Sequence, residues 1–208
     1  MLSPLDIALG KIGKNGNPIH PALVHYPLTF LLTASLLDIA SFFSHPNYDH
    51  TKILTKILSP DHIPVLNSMS YFCTIAALLT SIPTLITGGV EGYHLFFGGS
   101  LDSRDVKPGN LHPVVKMTLI HAWLNYASVA GAIYNWLTRR NVEGYSASGG
   151  NAIVGGFIVG AMGYAAFLGG TLVYTRGVGV QRMGKGLEFK QRKGGEVKGK
   201  NVKVGKEL

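Results

Sequence analysis

Cysteine is almost absent from this chain, because Cys73 is the single one among 208 residues. An intrachain disulfide and a thiolate metal cluster are therefore excluded. Signatures of catalysis are also missing from the sequence, which has no phosphate-binding glycine loop in a strand–turn–helix setting, no serine elbow and no paired catalytic carboxylates. The sequence consequently indicates no particular reaction, and it leaves open whether the protein is an enzyme.

Charged residues are missing from four long stretches of the chain. No Asp, Glu, Lys or Arg occurs in residues 15–37, 63–90, 117–138 and 144–175. A helix needs about 20 mostly apolar residues to cross the hydrocarbon core of a bilayer, so each stretch is long enough for one crossing. Because lipid cannot hydrogen-bond exposed backbone groups, and because no stretch alternates as barrel strands do, the spans should be helices. We predict an all-α integral membrane four-helix bundle, with spans at about 22–43, 70–90, 113–137 and 152–174.

Positive charge is concentrated at the C-terminal end, where ten of the 19 Lys and Arg residues follow Tyr174. We predict three regions, which are an N-terminal cytoplasmic segment at 1–20, the membrane domain at 21–180 and a basic flexible tail at 181–208. Basic residues beside a span are attracted to anionic cytoplasmic lipids by about 1 kcal/mol each. We therefore interpret the tail as a topology determinant that faces lipid headgroups and not as an arm that binds nucleic acid.

The distribution of Lys and Arg over the loops predicts the orientation of the spans. Fourteen of these residues lie on the side of the N-terminus, the middle loop and the tail, against four on the other side. Both termini are therefore predicted to be cytoplasmic, although without the tail the two sides carry four each. The sequence does not tell which membrane holds the protein. The four residues on the opposite side are Lys52, Lys56, Arg139 and Arg140.

Small and polar residues recur on one face of the predicted helices. In the third helix the spacings are four, three, four and three, which aligns the residues in one stripe. Small residues let membrane helices approach closely, so we expect the stripes to pack against one another, and the glycine-rich fourth helix also offers a surface for a homodimer. The stripe of the third helix is His121, Asn125, Ser128, Ala132 and Asn135, and the packing glycines of the fourth are Gly156, Gly160, Gly163 and Gly170.

Ionisable side chains inside a membrane are candidates for function, because each costs ~2.5–3.5 kcal/mol or more on insertion scales. His121 is nine residues past His112, so it should lie about 13 Å deeper along the third helix. The predicted topology brings the other candidates to the same cytoplasmic face. The candidate cofactor or metal ligands are His20, His25, Glu91, His112 and His121, with Asn125, Asp38 and Tyr174 as supporting residues.

The order of these residues resembles a known family, the multi-pass membrane proteins of domain of unknown function 2231. The similarity covers about residues 17–180, and it implies a four-helix membrane fold without an established activity. Some relatives are joined to iron–sulfur domains, which hints at electron transfer. This chain differs from the family at Glu91, where Asp is usual, and in its longer segment before His112 and its basic tail. The matching residues are His20-Pro21-x-x-Val24-His25-x-Pro27 with Asp38, Gly88-Gly89-x-Glu91, His121-x-x-x-Asn125 and Gly169-Gly170-x-Leu172-Val173-Tyr174-x-x-Gly177-Val178-Gly179-Val180.

Three functions are compatible with this set of residues. In the first, the imidazoles of His25 and His121 bind the iron of a haem b, although the two residues should lie at different depths. In the second, a transition metal or a proton relay uses the five candidate ligands. In the third, which we favour, the protein is a non-catalytic membrane component whose histidines cap helix ends and hydrogen-bond across the bundle. A transporter is less favoured, because no inverted repeat is evident.

Overall fold

A computed structural model describes residues 3–12, 16–44, 60–98, 110–185, 187–188 and 192. Most of these residues are helical and none of them forms a β-strand, which confirms the all-α class for the described part of the chain. Most of the predicted tail and the loop residues 45–59 and 99–109 lie outside the described residues. The helices are α1 (Pro4–Ala8), α2 (His20–Leu23), α3 (His25–Phe43), α4 (Ile63–Phe97), α5 (Pro113–Arg139) and α6 (Gly149–Gly170), which a π-helical turn (Thr171–Thr175) continues.

The first long helix is interrupted between α2 and α3, next to Pro27. Proline has no N–H to donate to the carbonyl one turn earlier, which here belongs to Leu23. The hydroxyl of Thr84 on α4 lies 3.4 Å from that carbonyl oxygen, but its one proton has a shorter contact, at 2.9 Å, with the carbonyl oxygen of Thr80. The interruption therefore leaves a backbone acceptor that faces α4, and it separates the His20 turn from the rest of α3.

Three helices are long and apolar enough to cross a membrane, namely His20–Phe43, Ile63–Phe97 and Gly149–Thr175. The span predicted at 113–137 forms α5, which has the length but is not one of these three. Its lower hydropathy has a simple cause, because Lys116, His121, Asn125, Asn135 and Arg139 all belong to it. α4 is longer than the predicted span at 70–90, since its 35 residues extend about 52 Å at 1.5 Å per residue.

Polar side chains lie inside this protein and large apolar side chains lie outside. Buried polar residues include Asp38, Ser70 and Asn135, each with no more than 3% of its surface exposed. Leu79 on α4 and Ile153 on α6, in contrast, are 62% and 76% exposed. A soluble protein seldom exposes so much apolar surface. The arrangement is that of helices surrounded by lipid, in agreement with the predicted membrane location.

The long helices pack in two pairs that resemble each other. α3 packs on α4 and α6, and α5 also packs on α4 and α6, so the pair α3–α4 and the pair α5–α6 have corresponding neighbours. In both pairs, side-chain hydrogen bonds join the end of the first helix to the start of the second. Ser70 of α4 donates to Asp38 of α3, and Asn151 of α6 donates at 2.8 Å to Thr138 of α5. The two pairs run in the same order and direction, which is a parallel repeat related by an approximate two-fold axis.

The centre of the molecule receives apolar side chains from all four long helices, one each from α3, α4 and α5 and two from α6. The alanines of α4 and α5 let the helices approach closely, and dispersion contacts then hold the helices together. Ser128 and Ala132 on the stripe of α5 are buried, as its spacing predicted. The central cluster is Leu31, Ala77, Ala132, Ile158 and Met162.

The glycine stripe of α6 does not pack against the other helices, contrary to the prediction. A Cβ atom added at Gly156, Gly160 or Gly163 would meet nothing within 4 Å. Gly155 does face another helix, because an added Cβ there would lie 3.2 Å from the carbonyl oxygen of Ser35 on α3. Hydropathy is high all around α6, so the sequence pattern could not distinguish the face that turns inward.

Candidate functional site

A cavity of about 290 Å³ lies at one end of the four long helices. Its walls are formed by several segments that are far apart in the sequence. The first turn of α2, the end of α4, the first half of α5 and the end of α6 all contribute walls. Most of the lining is apolar, with Val24, Leu28, Met162, Ala166 and Leu172 among the wall residues. The polar side chains of the lining are His20, His25, Glu91, Thr118, His121, Asn125 and Tyr174.

His20 is held against α4 by a backbone hydrogen bond and by a glycine. Its Nδ1 lies 3.1 Å from the carbonyl oxygen of Thr84. A carbonyl oxygen can only accept, so Nδ1 carries the proton, and Nε2 of the neutral ring carries the lone pair. The ring lies directly over Gly88, where an added Cβ would come within 2.8 Å of Cε1. Glycine at position 88 is therefore needed for the imidazole to take this position.

His121 makes the same arrangement with α6. Its Nδ1 lies 2.9 Å from the carbonyl oxygen of Ala165, so this nitrogen also carries the proton. A Cβ at Gly169 would lie 3.2 Å from Cε1 of the ring. Asn125, one turn later, donates at 2.7 Å to the carbonyl oxygen of His121 and lies 3.3 Å from Nε2. The amide thus helps to orient the imidazole, as the sequence spacing suggested.

These two histidines are equivalent under the approximate two-fold axis. In each case a ring from the first helix of a pair donates to a carbonyl of the second helix, and the glycine four residues after that carbonyl lies under the ring. The cavity therefore contains two imidazoles in matching positions, both with a basic Nε2. A fixed tautomer is what metal-ligating and hydrogen-bonding histidines require.

Glu91 lines the cavity but is engaged by an arginine from the C-terminal segment. Arg182 donates from both terminal nitrogens to the two carboxylate oxygens, at 2.9 and 2.5 Å, and also donates at 2.8 Å to the carbonyl oxygen of Leu9. Both partners are largely buried, with 15% and 11% of their side chains exposed. Arg182 is therefore part of the folded domain, whereas the sequence placed it in the flexible tail that begins at residue 181.

The remaining predicted ligands lie in different settings. His25 lines the cavity but is exposed at its rim, and Tyr174 also lines it while 90% of its surface remains exposed. His112 is not part of the lining, because its Nδ1 accepts a hydrogen bond from the N–H of Val114 and caps α5. Within the part of the chain that the structure describes, no three or more His, Cys, Asp or Glu residues form a group that could hold a metal ion.

Asp38 lies away from the cavity, at the other end of the long helices, where it pairs with Arg139. Nη1 of Arg139 donates to Oδ1 of Asp38 at 2.5 Å and to Ser70 at 3.0 Å. The other guanidinium nitrogens donate to the carbonyl oxygens of Asn67 and Tyr145, at 2.9 and 2.8 Å. Arg139 and Asp38 are 1% and 0% exposed, so this is a fully buried ion pair whose groups are satisfied.

Sequence reasoning counted Arg139 among the loop charges, although a signal for its burial was present. The inward stripe of α5 ends at Asn135, and Arg139 continues it at the next spacing of four. For Arg182 no such signal exists, because its partner Glu91 is 91 residues away along the chain. The stripe thus could have located one of the two missed arginines, and only the fold locates the other.

Comparison with known proteins agrees with the helical membrane architecture. Residues 16–182 match the model of a family described as "Predicted membrane protein (DUF2231)". No curated protein and no solved structure matches the chain. The matched region runs from the segment before α2 to Arg182 and so includes the whole cavity and its arginine. The chain therefore belongs to the DUF2231 family of predicted membrane proteins.

Proposed function

We propose that the protein is a four-span membrane component that binds a small, largely apolar ligand in the cavity and catalyses no reaction itself. The observation that carries this proposal is a cavity with apolar walls and two imidazoles in fixed orientations. Ligand sites typically combine apolar walls with a few oriented polar groups. The volume of about 290 Å³ equals that of about ten water molecules, so the bound part of the ligand is small.

In this proposal α5 is the fourth helix that crosses the membrane. Its polar residues Ser128, Asn135 and Arg139 are buried, whereas Trp123 and Tyr126 are 64% and 54% exposed. These three residues therefore lie where lipid would not touch them, Lys116 is exposed near the start of α5, and the outer face carries aromatic and aliphatic side chains. Four crossings, together with the excess of Lys and Arg in the tail, favour both termini in the cytoplasm.

The role as a binding component is supported by the state of Glu91. A carboxylate whose two oxygens both accept hydrogen bonds from one guanidinium is already occupied by that partner and is a poor candidate for a general base. Its contact with Arg182 instead ties the C-terminal segment to the cavity wall.

Two further contacts belong to this proposal. Beyond the C-terminal segment, the basic residues of the tail would attract anionic headgroups. The outward Gly156, Gly160 and Gly163 would suit a homodimer.

A haem between His25 and His121 fits the cavity poorly. A porphyrin with its substituents is larger than 290 Å³, and His25 lies at the exposed rim while His121 is held against α6. A metal ion held by three or more of the predicted ligands also fits poorly, since those within the described part of the chain do not gather into such a group. We therefore favour an organic ligand over both.

Two neighbouring glycines of α4 provide the test. Gly88→Ala places a methyl group against the His20 ring, whereas Gly89→Ala places one where nothing lies within 4 Å. The protein is purified in mild detergent, extracted with organic solvent and examined by mass spectrometry. We expect a small compound in wild type and in Gly89→Ala, and a several-fold lower amount per protein in Gly88→Ala. Equal amounts in all three proteins, or no compound in wild type, would contradict the proposal.

A further inference from the structure

We infer that the ligand of the cavity is the reduced head group of a lipid-soluble hydroquinone, held between His20 and His121. This inference rests on the proposed binding function and specifies the class of ligand. It follows from three properties of the cavity, which are the type of its hydrogen-bonding atoms, its approximate two-fold symmetry and the side on which it reaches lipid.

The cavity offers hydrogen-bond acceptors. Both Nδ1 atoms donate to backbone carbonyls, at 3.1 Å for His20 and 2.9 Å for His121, so each Nε2 is a basic nitrogen. At 3.3 Å, the contact of Asn125 with Nε2 of His121 is longer than the 2.7–2.8 Å of an ordinary hydroxyl bond, so a ligand hydroxyl can replace it.

The two acceptors call for a ligand with two donors. His20 and His121 occupy equivalent positions in the two helix pairs, and their imidazoles line the cavity from the side of α4 and from the side of α6. A para-hydroquinone has a matching two-fold symmetry, with one O–H donor at each end of a flat ring. The apolar walls, among them Val24, Leu28 and Met162, suit the faces of such a ring.

The cavity also reaches the surface that lipid would cover. Ala166 and Tyr174 belong to its lining and are exposed on the outside of the α6 segment. The hydrocarbon chain of a hydroquinone could leave the cavity on this side and lie in the bilayer. The volume of about 290 Å³ then needs to hold the substituted ring alone.

The same atoms discriminate against the oxidised form. A quinone carries two carbonyl oxygens, which can accept but not donate. It would give neither Nε2 atom a donor and would leave Nε2 of His121 with only the 3.3 Å contact from Asn125. Two hydrogen bonds of ordinary net strength correspond to a preference of roughly 30-fold for the hydroquinone. For a two-electron couple this equals a rise of roughly 45 mV in the reduction potential of the bound molecule.

The experiment measures binding of a decyl-substituted para-benzohydroquinone and of its quinone to the full chain in detergent. Wild type should bind the reduced form at least ten times more tightly. His20→Phe and His121→Phe keep a ring but remove the acceptor, so each should lower the preference to roughly fivefold. His62→Phe is the matched control and should keep the wild-type preference, because His62 is exposed in the turn before α4 and does not line the cavity.

The outcomes separate the two proposals. If wild type binds both forms equally, or prefers the quinone, the inferred ligand class is wrong, and a compound that co-purifies as described above still supports the binding function. If neither form binds and no compound co-purifies, both proposals fail. An equal loss of preference in His62→Phe and His121→Phe would also overturn the assignment. Because the wild-type ratio alone can refute the inference, the test remains decisive even when a variant does not fold.

Discussion

Replacing Asp38 by Asn should destabilise the protein strongly, because the change leaves the charge of Arg139 buried without a counter-charge. Removing one partner of a buried ion pair typically costs about 3–5 kcal/mol. We expect about 3 kcal/mol, at the lower end, because the amide oxygen can still accept one hydrogen bond. The other three contacts of Arg139, to Ser70, Asn67 and Tyr145, remain available in the variant.

The neighbouring arginine is the matched control. Arg140 is exposed, and its guanidinium stacks over the ring of Trp136 at 5.7 Å. Arg140→Gln should therefore cost no more than about 1 kcal/mol. The double variant Asp38→Asn with Arg139→Gln removes both charges and should recover part of the loss, since a pair without charge leaves no isolated ion in the core.

Equilibrium unfolding in mixed micelles, followed by tryptophan fluorescence, measures these free energies, and a double-mutant cycle extracts the coupling between the two residues. The reasoning is refuted if Asp38→Asn loses less than about 1 kcal/mol, or if it loses no more than Arg140→Gln. A coupling near zero in the cycle would likewise mean that the ion pair does not contribute as its burial indicates.

Two further predictions concern α6 and the topology. Gly155→Ala should lower the free energy of unfolding by about 1–3 kcal/mol, because the new methyl group would lie 3.2 Å from a backbone carbonyl of α3, whereas Gly156→Ala should be neutral or slightly stabilising. Equal melting temperatures of the two variants would contradict this packing. In a cysteine-free background, Ser3→Cys and Arg176→Cys should react with an impermeant maleimide from the same side of the membrane, and Val142→Cys from the opposite side. Labelling of positions 3 and 176 from opposite sides would mean that α5 does not cross.

Several features could be predicted from the sequence because they depend on local composition and spacing. Uncharged stretches of adequate length predicted the helices, since a chain in lipid must satisfy its backbone groups internally. The spacing of four and three in α5 predicted the inward face that contains Ser128 and Ala132, and both are buried. The predicted topology of the spans also indicated that His20, His25, Glu91 and His121 would meet at one end.

Only the tertiary structure decided the partners of the charged groups and the inward face of α6. Asp38 and Arg139 are 101 residues apart, and Glu91 and Arg182 are 91 residues apart, so no local pattern relates them. Along α6 almost every side is apolar, and the choice of Gly155 over Gly156 depends on the shape of α3 against it. The tautomers of His20 and His121 likewise depend on carbonyls of other helices. Composition fixes which segments prefer lipid, whereas the atoms that face one another depend on how complete helices fit together.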